Sequence, residues 1–161
     1  MHERAAALVR ELGLSPHPEG GRFAELYRSP RPVDPGDERT SRSALTAIWF
    51  LMLAGERSAW HVVDSDEVWI HFEGSDVRLW TFDAGTATLS STLLGPVGPG
   101  RAPQRVVEAG VWQAAEPLGD YSLTGACVGP GFDFADFRLL DSAPEVRASL
   151  ERLSPEMLRL A

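Results

Sequence analysis

Through most of this chain, apolar and polar residues alternate over short runs, and each run stops at a glycine- or proline-bearing turn. Alternation with a period of two marks a strand that buries one face. VRLWTF sets Val77, Leu79 and Thr81 against Arg78, Trp80 and Phe82. Asp83-Ala84-Gly85 then turns the chain and TATLSSTL returns it. FAELY puts Phe23, Glu25 and Tyr27 on one side, and QRVV, VWQAA and YSLTGACVG continue the strand pattern after a glycine–proline loop. LTAIWFLML is instead almost continuously apolar, as in a strand covered on both faces. In GFDFADFRLL the alternation slips between Phe134 and Phe137, which predicts a bulge at Ala135-Asp136.

The period becomes helical only at the two ends. Ala5, Leu8, Val9 and Leu12 form one stripe closed by Gly13. Val146, Leu150 and Leu153 form another, behind a Ser142–Glu145 capping box around Pro144. Ser29 to Ser43, polar and rich in proline and charge, reads as a mobile surface loop that could cover a pocket mouth. Short strands at regular spacing, with no strand–helix–strand units between them, predict an all-β barrel or sandwich. The 161 residues suit one domain.

Composition narrows the partners. A formal net charge of −8 is no phosphate-binding footprint, so nucleic acid is not expected. The longest apolar run, Ala44 to Ala54, is too short to span a bilayer, and MHERAAALVRELG is too charged for a signal peptide. A single cysteine excludes an internal disulfide and suits a reducing cytoplasm. Cys127 reads as a small buried strand residue rather than a nucleophile.

The chemistry concentrates in GERSAWHVVDSDEVWIHFEG, Gly55 to Gly74. It reads as a hairpin with its bend at Asp64-Ser65-Asp66. His61 and Val63 then share one face, and Glu67, Trp69 and His71 share one face of the returning strand. Closing the hairpin brings a histidine and a carboxylate together over an apolar wall. Upstream, Pro16, Pro18, Gly20 and Gly21 fix an extended turn around His17 and Glu19. Those two read as exposed loop residues first and as ligands second.

The same stretch fits the first cupin motif, G-x5-H-x-H-x3-E-x6-G, at Gly55, His61, Glu67 and Gly74, with Val63 in place of the second histidine. EAGVWQ stands where the second motif (P-x-G-x2-H) belongs, with Glu108 for the proline and Gln113 for the histidine. With LSPHPEGGRFAELYRS, TAIWFLML, WHVVDSDEVW, PQRVVEAGVWQAA and GACVGPGFDFADFRL, the chain resembles the cupin_5 family, formerly a domain of unknown function numbered 985. The resemblance implies a cupin double-stranded β-helix (jelly-roll) barrel with short N- and C-terminal helices. Residues 1–161 form its single domain, with a barrel core about 20–140. It also implies a homodimer and a shape similar to dTDP-sugar 3,5-epimerases.

A full cupin pattern offers three histidines and a glutamate to a transition metal. This chain offers His61, Glu67 and the amide oxygen of Gln113, a poor set, so no cofactor is expected and a divalent metal is the alternative. Without metal, Glu67 would orient His61 as a base for proton abstraction beside a carbonyl. The expected function is an isomerase, epimerase or lyase acting on a small carbonyl or sugar-like metabolite. Tyr27 and Tyr121 are the only tyrosines that could serve as its acid. Val63, Trp69, His71, Gln113 and Phe132 are the expected binding residues, while Trp60, Trp112 and Phe134 read first as packing. His71 follows Ile70 where the family has its histidine one place earlier. Parity turns it inward, unless it sits at the strand end on water or a backbone carbonyl. A non-catalytic ligand-binding cupin is the rival reading.

Overall fold

The computed structural model describes residues 2–161. In chain order its strands are β1 (Ser15–Pro16), β2 (Arg22–Arg28), β3 (Pro32–Val33), β4 (Arg42–Ser43), β5 (Thr46–Leu53), β6 (Ser58–Val63), β7 (Asp66–Gly74), β8 (Val77–Asp83), β9 (Thr88–Leu94), β10 (Arg101–Ala102), β11 (Gln104–Val107), β12 (Trp112–Pro117), β13 (Tyr121–Gly129) and β14 (Phe137–Leu139). They build two six-stranded sheets, β1-β2-β5-β13-β7-β11 and β10-β9-β8-β12-β6-β14, with β3–β4 as a separate ribbon. The all-β sandwich with a short helix at each end is the architecture the residue pattern predicts.

Three apolar clusters set the layers. Phe50, Met52, Trp69, Val77, Leu79, Leu94, Val107 and Ala115 come from both sheets and fill the space between them. Helix α1 (Glu3–Glu11) buries Ala5 and Leu8 against Leu51 and Leu123 on the outside of the first sheet. Leu51 is therefore covered on one face of β5 while Phe50 and Met52 are covered on the other, which explains the near-continuous apolar run. Helix α2 (Pro144–Leu153) and the terminal 3-10 turn Pro155–Leu160 lay Leu150, Met157 and Leu160 over Trp60, Val62, Phe82 and Trp112 on the outside of the second sheet. Trp60 and Trp112 are thus packing residues, with the Trp60 indole N–H donating to the Met157 carbonyl at 2.9 Å. Phe82, placed by alternation with Arg78 and Trp80, is the buried member of that outer face.

Local details depart from the pattern in three places. The slip in GFDFADFRLL is a 3-10 turn over Phe134–Asp136, not a bulge; the Asp133 side chain caps it by accepting from the Ala135 N–H. No capping box opens α2: Ser142 Oγ donates instead to the Leu139 carbonyl at 2.7 Å, and Pro144 takes the first turn unaided. The polar stretch 29–43 is tied down rather than free. Arg39 and Arg42 both pair with the buried Asp136, Arg42 through two bonds of 2.7 and 2.8 Å. None of these loop residues lines the cavity between the two large sheets. Among the described residues, no helix is long and apolar enough to cross a membrane.

Candidate functional site

The Gly55–Gly74 stretch is not a hairpin. β6 pairs with β12 and β14 in one sheet, β7 with β13 and β11 in the other. Asp64 and Ser65 carry the chain across the sandwich. The corner is fixed by Asp64 N–H donating to the Asp136 carbonyl at 3.2 Å and by Gly110 N–H donating to the Val63 carbonyl at 2.9 Å. His61 and Glu67 therefore face each other between the sheets, which two paired strands of one sheet would not achieve. The strand alternation places them on inward faces, as the sequence required.

Between the sheets lies a cavity of about 240 Å³. Its deep end holds four ionisable side chains: His17, Glu19, His61 and Glu67, all buried. Phe23, Phe50, Trp69, Phe132 and Phe134 form aromatic walls, and Val63 adds an aliphatic patch. Glu25, Arg28 and Asp133 stand toward the mouth.

His17 and Glu19, expected on the surface, are the largest correction. Their turn folds inward against β6. Ala59 N–H donates to the Glu19 carbonyl at 2.7 Å, and Gly20 N–H returns to the His17 carbonyl at 3.0 Å. Gly20 and Gly21 adopt φ of +105° and +63°, the left-handed range that favours glycine. A Cβ at Gly20 would run into the Arg57 carbonyl, so only glycine lets the turn dock. The signal in the sequence was two prolines and two glycines packed around two ionisable residues: a backbone held that firmly presents its side chains in one direction.

Hydrogen bonds assign the protons. His61 Nδ1 lies 2.7 Å from the Ala59 carbonyl, which can only accept, so Nδ1 carries the hydrogen and Nε2 is bare. That bare nitrogen is 3.4 Å from Glu19 Oε2. His17 Nδ1 accepts from the Glu19 backbone N–H at 3.3 Å and lies 3.4 Å from the same Oε2. A proton on Glu19 Oε2 thus stands between two imidazole acceptors. Glu19 Oε1 accepts from Ser58 Oγ at 2.8 Å. Glu67 makes no ion pair with His61 and acts on it through space; its Oε2 accepts from the Gln113 amide N–H at 2.6 Å.

Burial dominates the titration. Desolvation pushes Glu19 up to about 7, against smaller pulls from His17 and the Ser58 hydroxyl. It pushes Glu67 up to about 7 as well, with His61 opposing and the Glu19 charge adding to the rise. Burial lowers His61 despite the Glu67 charge, and lowers His17 despite Glu19. Near neutrality the cavity therefore holds two neutral imidazoles and two carboxyls poised between their protonated and ionised forms.

The donor set does not fit a transition metal. Trp69 Nε1–H donates to Gln113 Oε1 at 2.8 Å. An indole can only donate, so the amide oxygen of Gln113 is committed to Trp69 and its NH₂ must face Glu67. Gln113 sits behind Glu67, outside the cavity lining, with no oxygen to offer an ion. Among the described residues no three His, Cys, Asp or Glu side chains converge as metal ligands.

The other sequence-predicted residues divide. Val63, Trp69, Phe132 and Phe134 line the cavity. Tyr27 does not: a bulge at Leu26 in β2 puts it in register with Ala47, on the outer face, 48% exposed. Tyr121 is also outside, its hydroxyl donating to Glu73 at 3.1 Å. His71 is half-buried and off the cavity, three residues before the end of β7, with Nε2 donating to the Ser75 carbonyl at 3.1 Å. Cys127 lies between the inward residues Ala126 and Val128 and faces outward, half-buried.

A family model described as Cupin superfamily (DUF985) matches residues 6–140. Among solved structures, a hypothetical protein from Leishmania major is 29% identical, covers 97% of this chain and 95% of its own, and superposes with a TM-score of 0.81. A protein from Shewanella oneidensis, solved by X-ray crystallography, is also 29% identical, with 97% and 93% covered and a TM-score of 0.81. Oxalate decarboxylase from Bacillus subtilis is 13% identical over 78% of this chain and 29% of that one, with a TM-score of 0.56, a likeness of fold alone. No curated protein matches the sequence.

Proposed function

We propose that this chain, which belongs to the Cupin_5 (DUF985) family of the cupin superfamily, binds a small carbonyl or sugar-like metabolite and moves a proton on it. One observation carries the reading. Glu19 Oε2 stands 3.4 Å from the bare Nε2 of His61 and 3.4 Å from the bare Nδ1 of His17. A second buried carboxyl, Glu67, lies within electrostatic reach.

His61, its Nδ1–H held by the Ala59 carbonyl, is the base, and Glu19 takes up or returns the proton through Nε2. Glu67, held by Gln113, supplies the complementary acid. Ionising one of two interacting carboxyls makes the other harder to ionise, so the pair favours holding one proton between them. An acid and a base side by side at neutral pH suit an isomerase or epimerase, and a lyase by the same first step. The acid needs no tyrosine, which accords with Tyr27 and Tyr121 lying outside the cavity.

The test is hydrogen–deuterium exchange at carbon. A panel of aldoses, ketoses and 2-keto acids, together with amino sugars and aminoketones that carry an ammonium beside the carbonyl, is incubated with protein in D₂O and read by mass spectrometry. Exchange on one member, lost in His61→Ala with the fold intact by circular dichroism, is the expected result. Exchange equal in wild type and His61→Ala would return the protein to the class of non-catalytic ligand-binding cupins.

A homodimer and a reducing cytoplasmic setting complete the proposal. The second is supported by the lone free Cys127. The first is supported by the outer face of the first sheet away from α1, where Tyr27, Phe72 and Val106 are 48%, 48% and 63% exposed. A monomer by light scattering at micromolar concentration would refute the dimer.

A further inference from the structure

We infer that the molecule this cavity accepts carries a positive charge, and that the site recognises a small organic ammonium group. The inference rests on the reading above that this cavity is the substrate site, and it adds the charge class.

Most of the polar atoms in the lining are acceptors, the donors being the His17 Nε2–H, the Thr46 hydroxyl and Arg28. Glu19 and Glu67 are carboxyls, and His61 turns its bare Nε2 toward the cluster because Nδ1–H is committed to Ala59. Toward the mouth Asp133 adds a carboxylate, and Glu25 another that is paired with Arg28. Against them the lining holds one basic side chain, Arg28. That guanidinium is engaged: it bonds Glu25 at 3.1 and 2.7 Å and the Phe132 carbonyl at 3.1 Å. The chain contains no lysine at all; its 15 basic residues are arginines. A phosphate or carboxylate entering this cavity would meet carboxyls with no free cation to receive it. That also removes a nucleotide diphosphate from the candidate ligands.

The walls point the same way. A cation is attracted to the negative face of an aromatic ring, most strongly where water is excluded. Phe132 and Phe134 meet edge to face with centroids 5.1 Å apart, and Phe50 and Trp69 do so at 5.8 Å. In such an arrangement one ring shows its face where the other shows its edge. An aromatic lining together with buried carboxyls in a cavity of about 240 Å³ supplies both kinds of surface that attract a small ammonium.

The test compares three probes of one shape: choline, the uncharged 3,3-dimethylbutan-1-ol and the anionic 3,3-dimethylbutanoate. Each is titrated into the intact protein by calorimetry. Choline is expected to bind at least tenfold more tightly than the alcohol, with no binding of the anion. Phe132→Leu, which keeps apolar bulk and removes the ring face, should weaken choline at least threefold and leave the alcohol unchanged. Equal or tighter binding of the alcohol, tighter binding of the anion, or no binding of any probe would overturn the inference. Choline and the alcohol have no C–H beside a carbonyl, and the CH₂ beside the butanoate carboxylate is too weakly acidic to exchange, so the result is independent of catalysis. Deuterium exchange that persists without choline preference would sink the charge class alone. Choline preference without exchange on any panel member would sink the proton-transfer reading alone.

Discussion

Replacing Glu19 with glutamine should make this protein more stable at alkaline pH and only slightly so at pH 5. Glu19 is buried, and its carboxyl is raised from 4.5 to about 7. A raised carboxyl contributes stability that is fully present below the unfolded value near 4.5 and is lost as pH rises through the folded value near 7. At ~1.4 kcal/mol per pH unit, that loss is about 3 kcal/mol by pH 8.5. Glutamine has nothing to ionise, so the variant escapes it. Its side-chain oxygen still accepts from Ser58, and its NH₂ can donate to the bare His61 Nε2. The lowered histidines run the other way: their contribution is present above 6.5 and lost as pH falls through their folded values. They titrate in both proteins, so the difference between variant and wild type reports Glu19 together with its coupling to His17 and Glu67. Urea unfolding at half-unit steps from pH 5 to 8.5 measures it. The expected difference rises from under ~1 kcal/mol at pH 5 to about 3 kcal/mol at pH 8.5, the latter on the order of 6–12 °C in melting temperature for a domain of this size. A difference that stays flat across the series, or a wild type more stable at pH 8.5, would refute the account of Glu19 as a carboxyl buried without a cation.

Two further substitutions test how the cavity is built. Gly20→Ala forces a side chain into a backbone at φ +105° and against the Arg57 carbonyl; it should cost about 1–3 kcal/mol in chemical denaturation and expose Glu19, and an unchanged denaturation midpoint would contradict that role for the turn. Val63→His adds an imidazole beside His61 on the inward face of β6; the apo variant should melt below wild type and regain its melting temperature with Ni²⁺, whereas a large Ni²⁺ shift already present in wild type would show that the native donors hold a metal.

The parts of the fold legible in the sequence were those set by local periodicity. Alternation in VRLWTF and the helical stripe Ala5–Leu8–Val9–Leu12 each reflect one element meeting one apolar layer, and both came out as elements. What periodicity does not carry is the identity of the neighbour. It placed His61 and Glu67 on inward faces but could not say that β6 and β7 belong to different sheets. Their partners, β12 and β13, lie some fifty residues downstream. The inward docking of His17 and Glu19 depends likewise on a bond from Ala59 N–H, forty residues away. Gln113, expected to line the cavity, instead stands behind Glu67 and outside the lining. Which end of its amide faces Glu67 is decided by the Trp69 indole, a contact across the sandwich. The bulge and capping-box expectations failed because Asp133 and Ser142 found closer backbone partners than the patterns assumed.

Two kinds of buried acid in one small protein separate structure from function. Asp136 is as buried as the cavity glutamates, yet the Arg42 and Arg39 guanidiniums hold its carboxyl below the usual range. That is how a buried charge is kept when its task is to tie segments together, here the 29–43 stretch to the turn before β14. Glu19 and Glu67 have no such partner. Their contacts are a hydroxyl, an amide and two imidazoles that burial keeps neutral, and both carboxyls rise to about 7. Apolar residues of similar size would pack this position more stably at neutral pH. An arrangement that costs stability at the pH where it is half-ionised is explained by what the protonated and ionised forms do in turn. The same reasoning favours an ammonium ligand: it supplies, when bound, the positive charge that the fold itself withholds from this cavity and gives to Asp136.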